Sequence, residues 1–153
     1  MYRIPDGHLE VLLAHPGGPY FETRDFGWWS IPKGEFTDEE PLAAARRELF
    51  EETGFSVSGD FLELTPIKQK GGKLVFAWAV EGELDPTLIK SNYYVLQFPP
   101  KSGQFRKYPE IDRAGWFSVP EAEERILPSQ FPLVQELAAK LGHEDLTKKM
   151  SDL

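Results

Sequence analysis

Three glutamates and one arginine lie close together in the run Arg47-Glu48-Leu49-Phe50-Glu51-Glu52-Thr53-Gly54-Phe55. On a helix, Glu48 stands three residues from Glu51 and four from Glu52, spacings that put the carboxylates on one face. Arg47, four residues before Glu51, is placed to pair with it. As plain structure this is unfavourable. Like charges at these spacings repel by roughly 0.2–0.5 kcal/mol per pair, and acids in a last turn oppose the helix dipole by roughly 0.3–1 kcal/mol each. A hard divalent cation reverses that balance, and Mg²⁺ takes oxygen ligands while leaving room for water and substrate phosphate. The competing reading is an acidic, solvated helix face.

The element that must carry these groups is a helix over Pro41–Thr53, with Pro41 in the first turn, an apolar stripe of Leu42, Ala45 and Leu49, and Gly54 as the C-terminal cap. Around it the chain reads as short strands. Leu9–Ala14 is a buried strand, followed by the loop His15-Pro16-Gly17-Gly18-Pro19, with His15 supporting that loop. Trp28–Ile31, Phe61–Leu64 and Pro66–Lys70 follow as strands. Gly71-Gly72 turns the chain into Lys73–Val80, whose two apolar faces predict a central place in a sheet. Tyr93–Phe98 and Gly115–Val119 are further strands, and Lys101–Lys107 is a basic loop. Two helices close the pattern, Pro120–Ile126 and Phe131–Leu141, the second striped by Leu133, Leu137 and Leu141 with Val134 and Ala138 beside them. Strands around a carboxylate-rich helix, then terminal helices, make an α/β class. Residues 1–141 form a single expected domain and 142–153 a polar C-terminal tail.

Composition limits the chemistry. The 153 residues include no cysteine, which excludes disulfides, zinc–thiolate sites and thiol catalysis, and only three histidines. The net charge of −8 offers no general field for nucleic acid polymers, so polyphosphate must be met by local cations or by metal. No signal-peptide pattern and no apolar run of membrane-spanning length is present, which makes the cytoplasm the expected location and a membrane no partner.

Residues 47–55, with Gly34 upstream, resemble the Nudix box: glycine, five residues, glutamate, seven residues, then Arg-Glu-aliphatic-x-Glu-Glu-x-Gly-apolar. The second half matches at every specified position with Phe55 as the final apolar residue, and Pro32-Lys33-Gly34 is a familiar lead-in. The interval from Gly34 to Arg47 is one residue shorter than the pattern, which leaves Glu39 and Glu40 as alternatives for the first glutamate. The resemblance extends over about residues 8–135 and is similar to a bacterial subgroup of poorly defined substrate. Members of that subgroup tend to carry a further strand before the position of Met1. Here Met1-Tyr2-Arg3 is what corresponds to it, which implies a truncated first strand or a start upstream of Met1.

The resemblance implies a Nudix-like α/β/α sandwich with a mixed sheet. The implied activity is hydrolysis of a diphosphate linkage in a nucleoside diphosphate joined to another moiety, with dinucleoside polyphosphates the first candidate. Nucleoside triphosphates, ADP-ribose and capped RNA ends are alternatives. The cofactor implied is Mg²⁺, with Mn²⁺ as its substitute. Glu51 and Glu52 become metal ligands, Glu48 a ligand or the base that activates water, and the Gly34 carbonyl a member of the shell. Arg47 orients a carboxylate. Glu110, shortly before Trp116-Phe117, resembles the late-loop glutamate that serves as ligand or general base. Lys33, Lys73, Arg106 and Lys107 are candidate phosphate contacts, with Lys33 best placed. Phe26, Trp28 and Trp29 are candidates for stacking on a base, against the alternative that strand aromatics are core. Two other readings compete: a Nudix-like domain that binds nucleotides without cleaving them, and an interaction module with a merely solvated acidic helix.

Overall fold

The computed structural model describes residues 1–33, 39–57, 59–69 and 71–143. Gly34 lies outside the described residues, as do Lys70 and the tail from residue 144. The first three strands to consider are β1 (Tyr2–Arg3), β2 (Glu10–Pro16) and the late β7 (Ile111–Ser118), which form an antiparallel sheet in the order β1-β2-β7. Paired on both sides, β2 is the central strand, and Val11 to His15 are all buried. Tyr2 pairs antiparallel with Val11 and parallel with Glu81, so both strand directions meet at β1. A register shift between His15 and Pro16 bends the end of β2.

Two hairpins complete the sheets. In the first, β3 (Leu62–Lys68) pairs with β4 (Leu74–Ala79). The two expected strands around Pro66 are one strand with a register shift between Leu64 and Ile67. Proline has no N–H to give the ladder, so the irregularity falls beside it. The central place expected for Lys73–Val80 is met at one end: β4 ladders to β3, and the Val80 carbonyl accepts from Tyr2 N–H, joining the end of that run to β1, while Leu74 and Phe76 nearer its start are exposed. Apolar residues on both faces report what covers a strand above and below, not what pairs with it sideways. In the second hairpin, β5 (Tyr93–Gln97) pairs with β6 (Phe105–Pro109), so the expected basic loop 101–107 ends as strand. Trp28–Ile31, expected as a strand, contributes only isolated bridges, Ser30 to Ala14 and Trp29 to Ile126.

Helix α1 spans Pro41–Thr53, with the Glu40 carboxylate accepting from the N–H groups of Leu42 and Ala43. It ends on Gly54 at φ 79, a left-handed conformation that a side chain would disfavour. Helix α2 (Val119–Arg125) begins in a reciprocal capping box between Ser118 and Glu121. Helix α3 (Phe131–Lys140) buries Leu133, Val134, Leu137 and Ala138, the stripe expected from its spacing. The core joins these side chains to Leu9, Val11 and Leu13 of β2 and its approach, Ala77 and Ala79 of β4, Ile126 and Trp29. A cavity of about 330 Å³ lies among α1 (Ala44, Leu49), β4 (Val75, Ala77) and α3 (Leu137). Among the described residues, no helix is long and apolar enough to cross a membrane.

Candidate active site

The helical spacing of α1 sets the first part of the site. Arg47 gathers acids from both directions: its guanidinium donates to Glu39 (2.6–3.0 Å) and to Glu51 Oε2 (2.9 Å), and lies 3.0 Å from Glu48 Oε1. Glu39 and Glu40 thereby take different tasks, Glu39 holding Arg47 and Glu40 capping the helix. Glu51 is turned toward Arg47. Glu52 is turned the other way, and its Oε2 accepts from the backbone N–H of Lys33 at 3.0 Å.

Glu110 arrives from a distant part of the chain. It sits in the turn between β6 and β7, its N–H bonded to the Asn92 carbonyl and its carbonyl accepting from Gly17 N–H. That approach is close enough that a Cβ on Gly17 would collide with the Pro109 carbonyl, and one on Gly18 with the Tyr94 hydroxyl. The result is a second cavity, of about 310 Å³, on whose walls Glu52, Glu110, Lys33, Phe21 and Trp28 meet.

The electrostatics of this cluster are those of acids held together against their preference. Burial pushes the Glu52 carboxyl up to about 8, and the charges of Glu48 and Glu110 push the same way against the Lys33 hydrogen bond. Glu48 is also raised, chiefly by burial, with the Arg47 charge opposing. Burial plus repulsion in a cleft is how many functional carboxylates are marked. Among the described residues, no three His, Asp or Glu side chains stand in a metal-ligating array. The donor chemistry nonetheless suits a hard divalent ion: Glu48, Glu52 and Glu110 are mutually repelling oxygen donors, and the raised Glu52 carboxyl is what an added cation would relieve.

The remaining expected site residues divide. Lys33 borders both cavities. Lys73 borders the first, with Glu48, and does not reach the second. Arg106 and Lys107 are exposed on β6 and border neither. Trp28 is on the wall of the second cavity and 37% exposed. Trp29 is 6% exposed, packed edge-on against His15 and Phe117, with its indole N–H donated to Asp25. It is a core residue, and the expectation that it could stack on a ligand is corrected here. Phe26 is exposed beside the Arg125 guanidinium and borders neither cavity.

Sequence reasoning missed Phe21, which lay in an aromatic-rich stretch with nothing to single it out. The loop support expected of His15 reaches as far as Arg24, on the segment that carries Phe21. The His15 ring is fully buried, with Nδ1 2.8 Å from Asp112 Oδ1 and Nε2 on the Arg24 carbonyl.

Comparison with known proteins follows the same outline. The NUDIX domain profile matches residues 3–137. Among solved structures, the chain is similar to the NUDIX domain of Shewanella oneidensis NrtR, crystallised with ADP-ribose. The TM-score is 0.63 at 14% identity, covering 92% of this chain and 82% of that one. It is also similar to the Escherichia coli ORF135 protein, with a TM-score of 0.51 at 22% identity, covering 90% and 84%. At those identities the likeness is one of fold. Among curated proteins it matches an octanoyltransferase of Myxococcus xanthus, 33% identical over 101 residues. That match takes in 65% of this chain, which spans about a quarter (25%) of the relative's length.

Proposed function

The chain belongs to the NUDIX domain family, whose members hydrolyse nucleoside diphosphate derivatives, and from that premise we propose that it is a Mg²⁺-dependent hydrolase of a diphosphate linkage in a nucleotide substrate. The observation that carries this reading is the half-buried Glu52 carboxyl, fixed by Lys33 N–H on the wall of a cavity it shares with Glu110.

In this reading Glu48, Glu52 and Glu110 would hold the ion, Mg²⁺ or in its place Mn²⁺, with the Gly34 carbonyl and Glu51 as further donors, and the ion would supply charge neutralisation on a diphosphate open to water at one phosphorus. Arg47 does not touch substrate; it fixes the angle of Glu48 and Glu51. Glu48 or Glu110 receives the proton from the attacking water, both being raised or solvent-accessible carboxylates near Glu52. Lys33 is the cation placed to meet a phosphate oxygen. Lys73, Arg106 and Lys107 lie outside that cavity and are left without a substrate role. The substrate class is a nucleoside diphosphate joined to a second group, dinucleoside polyphosphates first, in the cytoplasm.

A panel of diadenosine tetraphosphate, ADP-ribose, nucleoside triphosphates and capped RNA tests this, with products identified by mass in ¹⁸O-labelled water. Mg²⁺-dependent cleavage lost in Glu52→Gln is the expected result. A second reading, a nucleotide-binding domain without turnover, draws on the diversion of Glu51 to Arg47 and the absence of a ligating array among the described residues. Binding with no cleavage of any member of the panel would establish it instead.

A further inference from the structure

We propose that Gln130, at the start of α3, is a positioning residue of the hydrolytic site: its side-chain carbonyl sets the backbone from Ile31 to Lys33 and, through the Lys33 N–H, the angle of the Glu52 carboxylate. The proposal rests on the preceding assignment of Glu52 to metal binding.

The backbone bonds of this segment show where its position is decided. Up to Ser30 it is pinned to the body by main-chain bonds. Trp29 N–H donates to the Arg125 carbonyl (3.0 Å), and Ser30 and Ala14 of β2 exchange a reciprocal pair (2.8 and 2.9 Å). The next N–H, that of Ile31, goes to Gln130 Oε1 at 3.0 Å. Pro32 has no N–H to give, and its ring fixes φ, so it passes on a displacement of Ile31 rather than absorbing it. The following N–H, that of Lys33, is the one Glu52 Oε2 accepts. Among the described residues, Gln130 is therefore the last anchor of this backbone before the carboxylate cluster.

The other end of this relay is equally fixed. Leu127 N–H donates to the Trp29 carbonyl and Gln130 N–H to the Leu127 carbonyl, both at 2.8 Å. With the bond to Ile31 they close a ring that ties residues 29–31 to the turn before α3. The Gln130 side chain is 0% exposed, and its Nε2 has no partner among the described residues. An amide buried with an idle donor costs stability that an apolar side chain would not. Packing alone does not account for glutamine at this position, whereas the bond made by its oxygen does.

The experiment uses the full chain: wild type, Gln130→Met, Gln130→Glu and Leu137→Ala. Methionine keeps the length of the side chain without a carbonyl, and glutamate keeps an oxygen for Ile31. Leu137→Ala loosens α3 at a buried position outside the relay. Mn²⁺ binding is measured by calorimetry without substrate, amide exchange of Ile31 and Lys33 by NMR without metal, and cleavage of the nucleotide panel with Mg²⁺. In Gln130→Met the Mn²⁺ Kd should rise roughly 3- to 30-fold, somewhat less than on losing a ligand's direct partner. The Lys33 amide should lose protection together with that of Ile31. Gln130→Glu should recover most of the affinity, and Leu137→Ala should lower Tm with the Kd within about twofold of wild type. In a Glu52→Ala background, Gln130→Met should cost no further affinity.

A Gln130→Met protein with the wild-type Kd and a protected Lys33 amide overturns the proposal, as does a loss of affinity equal to that of Leu137→Ala. Should the Gln130 variants not fold, exchange in wild type decides. Ile31 and Lys33 amides protected to the same degree support the relay, and a Lys33 amide that opens far more readily than Ile31 overturns it. Lys33 protection that follows Gln130 in a protein that binds no Mn²⁺ and cleaves no substrate keeps the relay and removes the hydrolase assignment; metal-dependent cleavage indifferent to Gln130 does the reverse.

Discussion

The backbone N–H of Lys33 donates to Oε2 of Glu52 at 3.0 Å, joining the segment after β2 to the last turn of α1 across nineteen residues of sequence. That bond orients the carboxyl and opposes, without cancelling, the burial and two neighbouring acids that raise it. Glu52→Gln retains a carbonyl oxygen for Lys33 and removes the ionisable group. Diphosphate hydrolysis should fall by about two orders of magnitude or more, while the metal-free protein at pH 8 should melt higher than wild type. An active Glu52→Gln enzyme would show that the group is structural.

Stability of the metal-free protein should depend on pH through Glu52. Its folded-state value of about 8 lies above the ordinary 4.5, so the native state binds more protons than the unfolded state between those limits. The stabilising contribution is complete below about pH 4.5 and is lost as pH rises through about 8, a change on the order of a few kcal/mol. Urea denaturation in chelator from pH 5 to 9 should show that decline, and Glu52→Gln should flatten it. Mg²⁺ should raise the melting temperature most at the alkaline end, because metal and proton compete for one carboxylate.

Arg47 bonds Glu39 and Glu51 and touches Glu48, so its planar fork fixes the azimuth of acids it does not itself help catalyse with. Lysine cannot reproduce a fork. Arg47→Lys should lower metal affinity and turnover by about 10- to 100-fold, with the Mg²⁺ activation curve shifted to higher concentration. A variant with the wild-type Mg²⁺ curve would mean that Arg47 serves α1 alone.

His15 occupies a fully buried position between Asp112 and the Arg24 carbonyl. His15→Leu removes the ring nitrogens that meet Asp112 and the Arg24 carbonyl, at a cost of about 1–3 kcal/mol for a group left unpaired and cut off from water. A lower denaturation midpoint is expected. A cycle with Asp112→Asn should show coupling between the two positions, and strictly additive effects would dissolve the strut.

The adjacent tryptophans should separate cleanly. Trp29→Ala removes a core ring and should destabilise by about 3–5 kcal/mol, whereas Trp28→Ala should leave the thermal transition near wild type. Equal losses would place both rings in the core.

Local spacing was enough to determine the helix Pro41–Thr53, its Gly54 cap and the pairing of Arg47 with Glu51, because helix geometry relates residues only three and four apart. The stripe of α3 was legible for the same reason, since one periodic face must be buried whatever lies beneath it. Lateral relationships were not legible. The both-sided apolar run of β4 did not say which strands would pair with it, β3 along its length and β1 at its end. Nor could composition tell Trp28 from Trp29: only the packing of His15 and Phe117 around one of them decided which is core and which faces the cavity. The meeting of Glu110 and Phe21 with Glu52 is likewise a product of chain folding. It depends on how Gly17 and Gly18 approach Pro109 and Tyr94, contacts between segments far apart in the chain that no local propensity encodes.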